Sequence, residues 1–113
     1  MIRRGEIYWV DLGVPIGSEQ GHRRPALIVQ NDVGNRVGPI TIVAVITSRL
    51  PSRPYPHVVV VNPEESGLRS PSAVLLNQLR TIDQSRLEER SGEIASDRLR
   101  EVDEALRVSL GLA

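Results

Sequence analysis

The chain is built from short apolar runs separated by stretches rich in Gly and Pro. Only its last eighteen residues carry a helical period. Gly5 to Leu12 alternates and is rich in β-formers, which predicts a strand. Gly13 to Arg23, punctuated by Gly13, Pro15, Gly17 and Gly21, predicts a long loop, and loops of that length are often functional. Pro25 to Asn31 reads as a strand buried on both faces. Asp32 to Pro39, broken by Gly and Asn, reads as a loop. Ile40 to Thr47 is the most apolar strand. Ser48 to Pro56 is a second long loop, His57 to Val61 a fourth strand ended by Pro63, and Ser66-Gly67-Leu68 a turn. Ser72 to Leu79, running on through Ile82, makes a fifth strand. Asp83 to Arg90 is polar and reads as a helical turn, and Glu93-Ile94-Ala95 as a short strand. Ser96 then serves as N-cap for a helix whose buried face is Leu99, Val102, Leu106 and Leu110, with Gly111 as its stop. Short strands followed by one helix describe a mainly β domain, a small twisted barrel with a helix packed on it. Periodicity alone leaves barrel and sandwich both open.

Length fits one domain over residues 1–113. No apolar run is long enough to span a membrane, and the charged start, Arg3-Arg4-Gly5-Glu6, is no signal peptide. These features predict a cytoplasmic protein. The absence of Cys excludes disulfides, Cys-based zinc and thiol catalysis. All fourteen basic residues are Arg, and fourteen acids balance them. The balance is uneven: residues 1–80 hold nine Arg and six acids, net +3, while residues 81–113 hold five Arg and eight acids, net −3. A basic body with an acidic tail is compatible with polyanion binding on one face. It is equally compatible with an ordinary solvated surface.

No phosphate-binding loop, dinucleotide fingerprint, zinc-protease motif or nucleophile elbow is present. His22 and His57 lack the setting of an acid–base pair, and their spacing makes no metal site. The notable stretch runs from Gly17 to Asn31, where a Gly-bounded polar loop enters a buried strand through Arg23 and Arg24. An Arg at such a junction is anchored by the sheet, so its guanidinium can be held at a phosphate. Alternatively, both Arg residues frame the strand and pair with acids.

These residues also carry a resemblance. Arg4-Gly5-Glu6-Ile7-Tyr8, Gly17-Ser18-Glu19-Gln20-Gly21 with Arg24-Pro25, and Gln30-Asn31-Asp32 come first. Ala44 to Thr47, His57-Val58, Gly67-Leu68, Ser72 to Gln78, and Leu79 to Asp83 with Arg86-Leu87 follow in order. Together they resemble the MazF/PemK/Kid toxins of bacterial toxin–antitoxin modules, over nearly the whole chain. The resemblance implies an SH3-like β-barrel of about five to seven strands with a C-terminal helix, of the CcdB/Kid/MazF type. It implies a homodimer, free of cofactor and metal, that cuts single-stranded RNA, mainly mRNA, and is neutralised by a cognate MazE-like antitoxin. The family's catalytic pair falls on Arg24 and Thr47. The RNA-facing positions fall on Ser18, Glu19, Gln20, Asn31, Asn35, Ser72 and Gln78. Glu19 is a candidate general base or a reader of a nucleobase. With Tyr8, Trp9 and Tyr55 the only aromatics, polar contacts are expected to dominate recognition, with Tyr55 the best exposed ring. Two rivals share the fold: a CcdB-like gyrase poison, argued against by a C-terminus that lacks Trp, and a non-catalytic interaction barrel.

Overall fold

A computed structural model describes all residues, Met1–Ala113. Its strands are β1 (Glu6–Asp11), β2 (Arg23–Ile28), β3 (Ile40–Thr47), β4 (Val58–Val61), β5 (Ser72–Asp83) and β6 (Leu87–Glu93). Its helices are α1 (Asp32–Val37), α2 (Pro63–Ser66) and α3 (Ser96–Leu110), with a 3-10 turn at Gln84–Arg86. The strands form one six-stranded antiparallel sheet in the order β4-β5-β3-β2-β1-β6.

β2 and β3 are buried on both faces, as their unbroken apolar runs predict. Ile7, Leu27, Ala44 and Ile46 join one core cluster, which α3 covers with Val102 and Ala105. Val10, Ala26, Ile28, Val43 and Val45 form the other, enclosed by Leu12 and Ile82. The expected barrel is present in outline, but its sheet does not close by hydrogen bonding: β4 and β6 are both edges. α2 fills the gap. The Ser91 hydroxyl of β6 donates to the Ser66 carbonyl at 2.8 Å. Arg98 of α3 donates from Nε to Glu65 at 3.3 Å and from a second nitrogen to the Val60 carbonyl.

β5 can serve both β3 and β4 because it is bent. Its register against β3 jumps from Ala44↔Leu79 to Val45↔Leu75, so Leu76, Asn77 and Gln78 have no opposite residue. A bulge of this kind sharpens the twist and re-aims side chains. It turns Asn77 outward, leaves Gln78 half-exposed and keeps Leu76 fully buried.

Five expectations are corrected. Asp32–Val37 is a helix, not a loop; the Asn31 side chain caps it by accepting from the Gly34 amide at 2.8 Å. Most of the polar stretch Asp83–Arg90 belongs to β5 and β6, and of the expected strand Glu93–Ala95 only Glu93 is a strand residue. Ile94 is instead held by its amide, which donates to the Gly5 carbonyl at 2.9 Å. Finally, α3 begins at Ser96 without a side-chain cap, with Ala95 flanking it. Leu110, expected on the buried face, is exposed, and Ala105 takes the central place. Gly111 ends the helix in the left-handed conformation, φ 70°, as expected.

A buried ion pair pins the start of the sheet. Glu6, almost inaccessible to solvent, accepts from the Arg3 amide at 2.6 Å and from Arg90 Nε at 2.7 Å. Beside it, burial and the Glu6 carboxylate push the Tyr8 hydroxyl above its ordinary pKa.

Candidate nucleic-acid interface

The β2–β3 register runs toward the two suspected catalytic residues and ends two residues short of each. Ala26 pairs with Val45, and continuing the same register by two residues sets Arg24 level with Thr47. Because side chains alternate along strands, both lie on the face that carries Ala26 and Val45. On its other side Arg24 pairs with Val10 of β1.

Arg24 is half-buried, and its Nε donates to the Gly21 carbonyl at 3.1 Å. That bond fixes the guanidinium while leaving its terminal nitrogens free of protein partners. No carboxylate lies within ion-pair distance of it. Thr47 is 8% exposed. Its oxygen accepts from the Arg49 amide at 3.1 Å, and its hydroxyl hydrogen has no acceptor in the fold. A fixed cation beside an uncommitted O–H donor is an arrangement suited to a phosphate oxygen.

The neighbouring surface is an open cleft of about 650 Å³. Trp9, Pro25 and Ile46 supply its apolar part. Arg23, Arg24, Arg69, Ser48, Ser70 and Ser72 supply the polar part, Gly67 and Leu68 complete the wall, and no acid lines it. The charge pattern explains this. Arg3, Arg4, Arg23, Arg90, Arg98 and Arg107 are each paired with carboxylates, whereas Arg24, Arg49, Arg53, Arg69 and Arg80 pair with none. Of the Arg side chains in the first eighty residues that have no carboxylate partner, Arg24 and Arg69 line this cleft, while Arg36, Arg49, Arg53 and Arg80 lie outside it.

Ser72 lies in this cleft, one residue before Ala73, the partner of Thr47. It is buried and its hydroxyl donates to the Ser70 carbonyl at 3.0 Å. Ser18, Glu19, Asn77, Gln78 and Arg80 line a second, shallower hollow beneath the β1–β2 loop. There the Gln78 side chain holds the loop from both ends. Its oxygen accepts from the Gln20 amide and its nitrogen donates to the Ser18 carbonyl, each at 3.3 Å. Glu19 accepts from the Ile16 amide at 3.0 Å, so its carboxylate shapes its own loop.

Asn31 and Asn35 do not join these groups. They sit on α1, at the far end of the β2–β3 hairpin from Arg24 and Thr47. Asn35 in particular is 2% exposed and fully engaged. Its oxygen accepts from Thr41 at 2.7 Å and from Gln30 at 3.0 Å, and its nitrogen donates to the Gln30 carbonyl at 3.0 Å. An RNA-facing role for Asn35 is corrected to a structural one, because every polar atom of the amide is spent inside the fold. Asn35→Ala should therefore cost about 2–4 kcal/mol of stability, by leaving the buried Thr41 hydroxyl and Gln30 without partners. Denaturant unfolding measures this, and the folded fraction should keep its activity per molecule. Normal stability with lost activity would restore the binding role.

Sequence reasoning gave no role to Trp9 or Arg69, and its alternative that Arg23 pairs with acids holds, with Glu88 and Glu89 as partners. The Arg23 guanidinium lies over the Trp9 ring, 4.5 Å from its centroid. The Arg23–Trp9 spacing was readable from strand alternation, but the cleft itself needs Leu68 to Ser70, a turn distant in sequence. Tyr55 is exposed as expected, with Arg53 over its ring and His57 against it.

A small curled β-sheet with an end helix and an acid-free, guanidinium-lined cleft defines a polyanion-binding barrel-type protein. The chain belongs to the PemK-like, MazF-like toxin family of type II toxin–antitoxin systems, whose description it matches over residues 3–110. It is 41% identical over 112 residues to Endoribonuclease EndoA of Bacillus subtilis, covering 99% of this chain and 97% of that protein. Among solved structures it superposes on an endoribonuclease in complex with its cognate antitoxin from a mycobacterial species, with TM-score 0.83 and 26% identity over 100% of this chain and 98% of that one. MazF from Deinococcus radiodurans superposes with TM-score 0.78 and 32% identity, over 97% and 96% of the two chains.

Proposed function

We propose that the protein is an endoribonuclease toxin that cuts single-stranded RNA, mainly mRNA, at a short sequence by attack of the RNA's own 2′-OH. It works as a homodimer in the cytoplasm, and a cognate MazE-like antitoxin holds it in check. The observation that carries this reading is the Arg24 guanidinium, free of any carboxylate, held by the Gly21 carbonyl and lining an acid-free cleft. Kinship with an endoribonuclease over the full chain supports it.

In this scheme the 2′-OH gives up its proton to water and its oxygen bonds to phosphorus, as the bond to the 5′-oxygen breaks and that oxygen takes up a proton from water. The products are a 2′,3′-cyclic phosphate and a 5′-hydroxyl. The protein's task is to hold the two oxygens in line and to stabilise the added negative charge on the phosphorus oxygens. Arg24 supplies a fixed cation for those oxygens. Thr47 donates its unused hydroxyl hydrogen to the phosphate or the 2′-OH. A guanidinium stays protonated under ordinary conditions, so Arg24 acts by charge and hydrogen bonding. Ser72 in the cleft and Ser18, Glu19 and Gln78 in the second hollow, with Gln20 of the same loop, remain the candidate contacts to RNA, and Asn31 lies apart from both.

The test replaces the ribose at the cut position with 2′-deoxyribose. Such an oligonucleotide should bind with the affinity of its parent and stay intact. Cutting at the parent rate would remove the 2′-OH mechanism, and the end groups of the parent's fragments check the same point independently.

A further inference from the structure

We propose that the cleft beside Arg24 is a nucleotide subsite in which the base of a residue flanking the cut stacks on the Arg23 guanidinium and its phosphate is taken by Arg69. The proposal rests on the RNA-cleaving reading above and assigns it a specificity-determining contact.

The state of Arg23 is the argument. Its Nε donates to Glu88 at 2.7 Å and a terminal nitrogen donates to Glu89 at 3.1 Å. One face of the guanidinium lies on the Trp9 ring. Two of its nitrogens and part of its charge are therefore already engaged, which makes Arg23 a weaker phosphate ligand than an unpaired Arg. What remains is a flat surface locked in orientation, with 47% of the side chain still open to solvent. Bases splayed from single-stranded RNA stack on guanidinium planes as they do on aromatic rings. The platform is preformed, because the indole below and two carboxylates at the edge hold it before any ligand arrives.

Arg69 has the opposite character. It is exposed, has no ion pair and makes no hydrogen bond within the protein. It lines the same cleft beside Ser70, in the segment between α2 and β5. A volume of about 650 Å³ is ample for one nucleotide. Arg24 stands at the rim, so a nucleotide seated here adjoins the phosphate that Arg24 serves.

Trp9 is the sole Trp of the chain, so its emission reports on this cleft alone. The probe is a fluorescently labelled oligoribonucleotide blocked by 2′-deoxyribose at the cut. Trp9 emission should change with the same midpoint as binding followed by anisotropy of the label. Removing the base that flanks the cut should weaken wild-type binding by about tenfold, the scale of one stacked base. Arg23→Lys keeps a cation for Glu88 and Glu89 but loses the plane. It should raise KM by about tenfold and make the enzyme indifferent to the missing base, with the melting temperature of the wild type. Arg69→Gln should raise KM and flatten the log–log salt dependence by about 0.7, the loss of one phosphate contact to a single strand. Tight binding with unchanged Trp9 emission, or equal cutting of intact and abasic substrates, would overturn the subsite while leaving the nuclease reading in place. A wild-type protein that neither binds nor cuts RNA would overturn both.

Discussion

Arg24→Ala is expected to abolish RNA cleavage, lowering kcat/KM by about 10³-fold or more while leaving thermal unfolding almost unchanged. Loss of a single preorganised charge-stabilising group costs about 10²–10³ in rate, and a cation bearing on a phosphorane belongs at the upper end. Stability is spared because Arg24 forms no ion pair and its one bond, to the Gly21 carbonyl, is in a loop. Arg24→Lys should fail almost as badly. An ammonium cannot hold the carbonyl with one edge and present a planar fork to phosphate with the other. Thr47→Ala should cost about 10²-fold by the same reasoning, and Thr47→Ser should restore most of it, since the hydroxyl returns. The serine variant also separates chemistry from structure: the Thr47 oxygen accepts from the Arg49 amide, and Ser keeps that bond. Kinetics on a defined oligonucleotide, with unfolding curves alongside, read out all four variants. Wild-type rates in Arg24→Ala would sink the assignment of the site.

A large stability effect is expected at Gly92. A Cβ there would lie 2.4 Å from the Ser66 carbonyl oxygen and 2.5 Å from that of Glu65, both backbone atoms. Neither can swing aside as a side-chain tip would. Gly92→Ala must therefore push α2 away from β6, and this contact is what joins the two open edges of the sheet. The cost should reach about 3 kcal/mol or more, a fall in melting temperature of roughly 10 °C or more. Gly67 faces the same seam from the other side. Its φ is +72°, and an added Cβ would meet the Ser91 carbonyl oxygen at 1.9 Å. Gly67→Ala adds about 1 kcal/mol of left-handed strain to the clash. Gly17 is the control: its φ is +57° but nothing lies within 4 Å, so Gly17→Ala should cost only about 1 kcal/mol. If Gly92→Ala melted with the wild type, the seam would not be what holds the sheet in its curled form.

Much of this architecture is written in local pattern. β1, β3 and the core of α3 follow from alternation, β-branched runs and helical spacing, each enforced by burial of one or both faces. What escaped was structure stabilised from a distance. α1 contains Gly34 and opens on Asn and Asp, so its own propensity is poor. It forms because Asn35 is locked by Thr41 and Gln30, and because Asp32 accepts from the Arg4 amide at 2.7 Å. That last bond, with Asn35 adding to it, holds the Asp32 carboxyl below its ordinary pKa. β6 escaped for a related reason. It is an edge strand without apolar alternation, and its charges are matched to partners on other elements: Glu88 and Glu89 to Arg23, Arg90 to Glu6, Glu93 to Arg3.

The sequence by itself determined the chemistry on offer: a Gly-bounded loop entering a buried strand through two guanidinium groups, a Thr at the end of the next strand, and no thiol. Residue type and local pattern did not tell the two guanidinium groups apart; only the resemblance singled out Arg24. Arg23 and Arg24 are the same residue type side by side, and the pleat sends them to opposite faces. On one face, carboxylates more than sixty residues away neutralise Arg23 and an indole carries it. On the other, Arg24 meets no acid and stays free for phosphate. Pairing at that separation exists only once the sheet has brought β6 beside β1, so the tertiary structure alone decided which charge was left over.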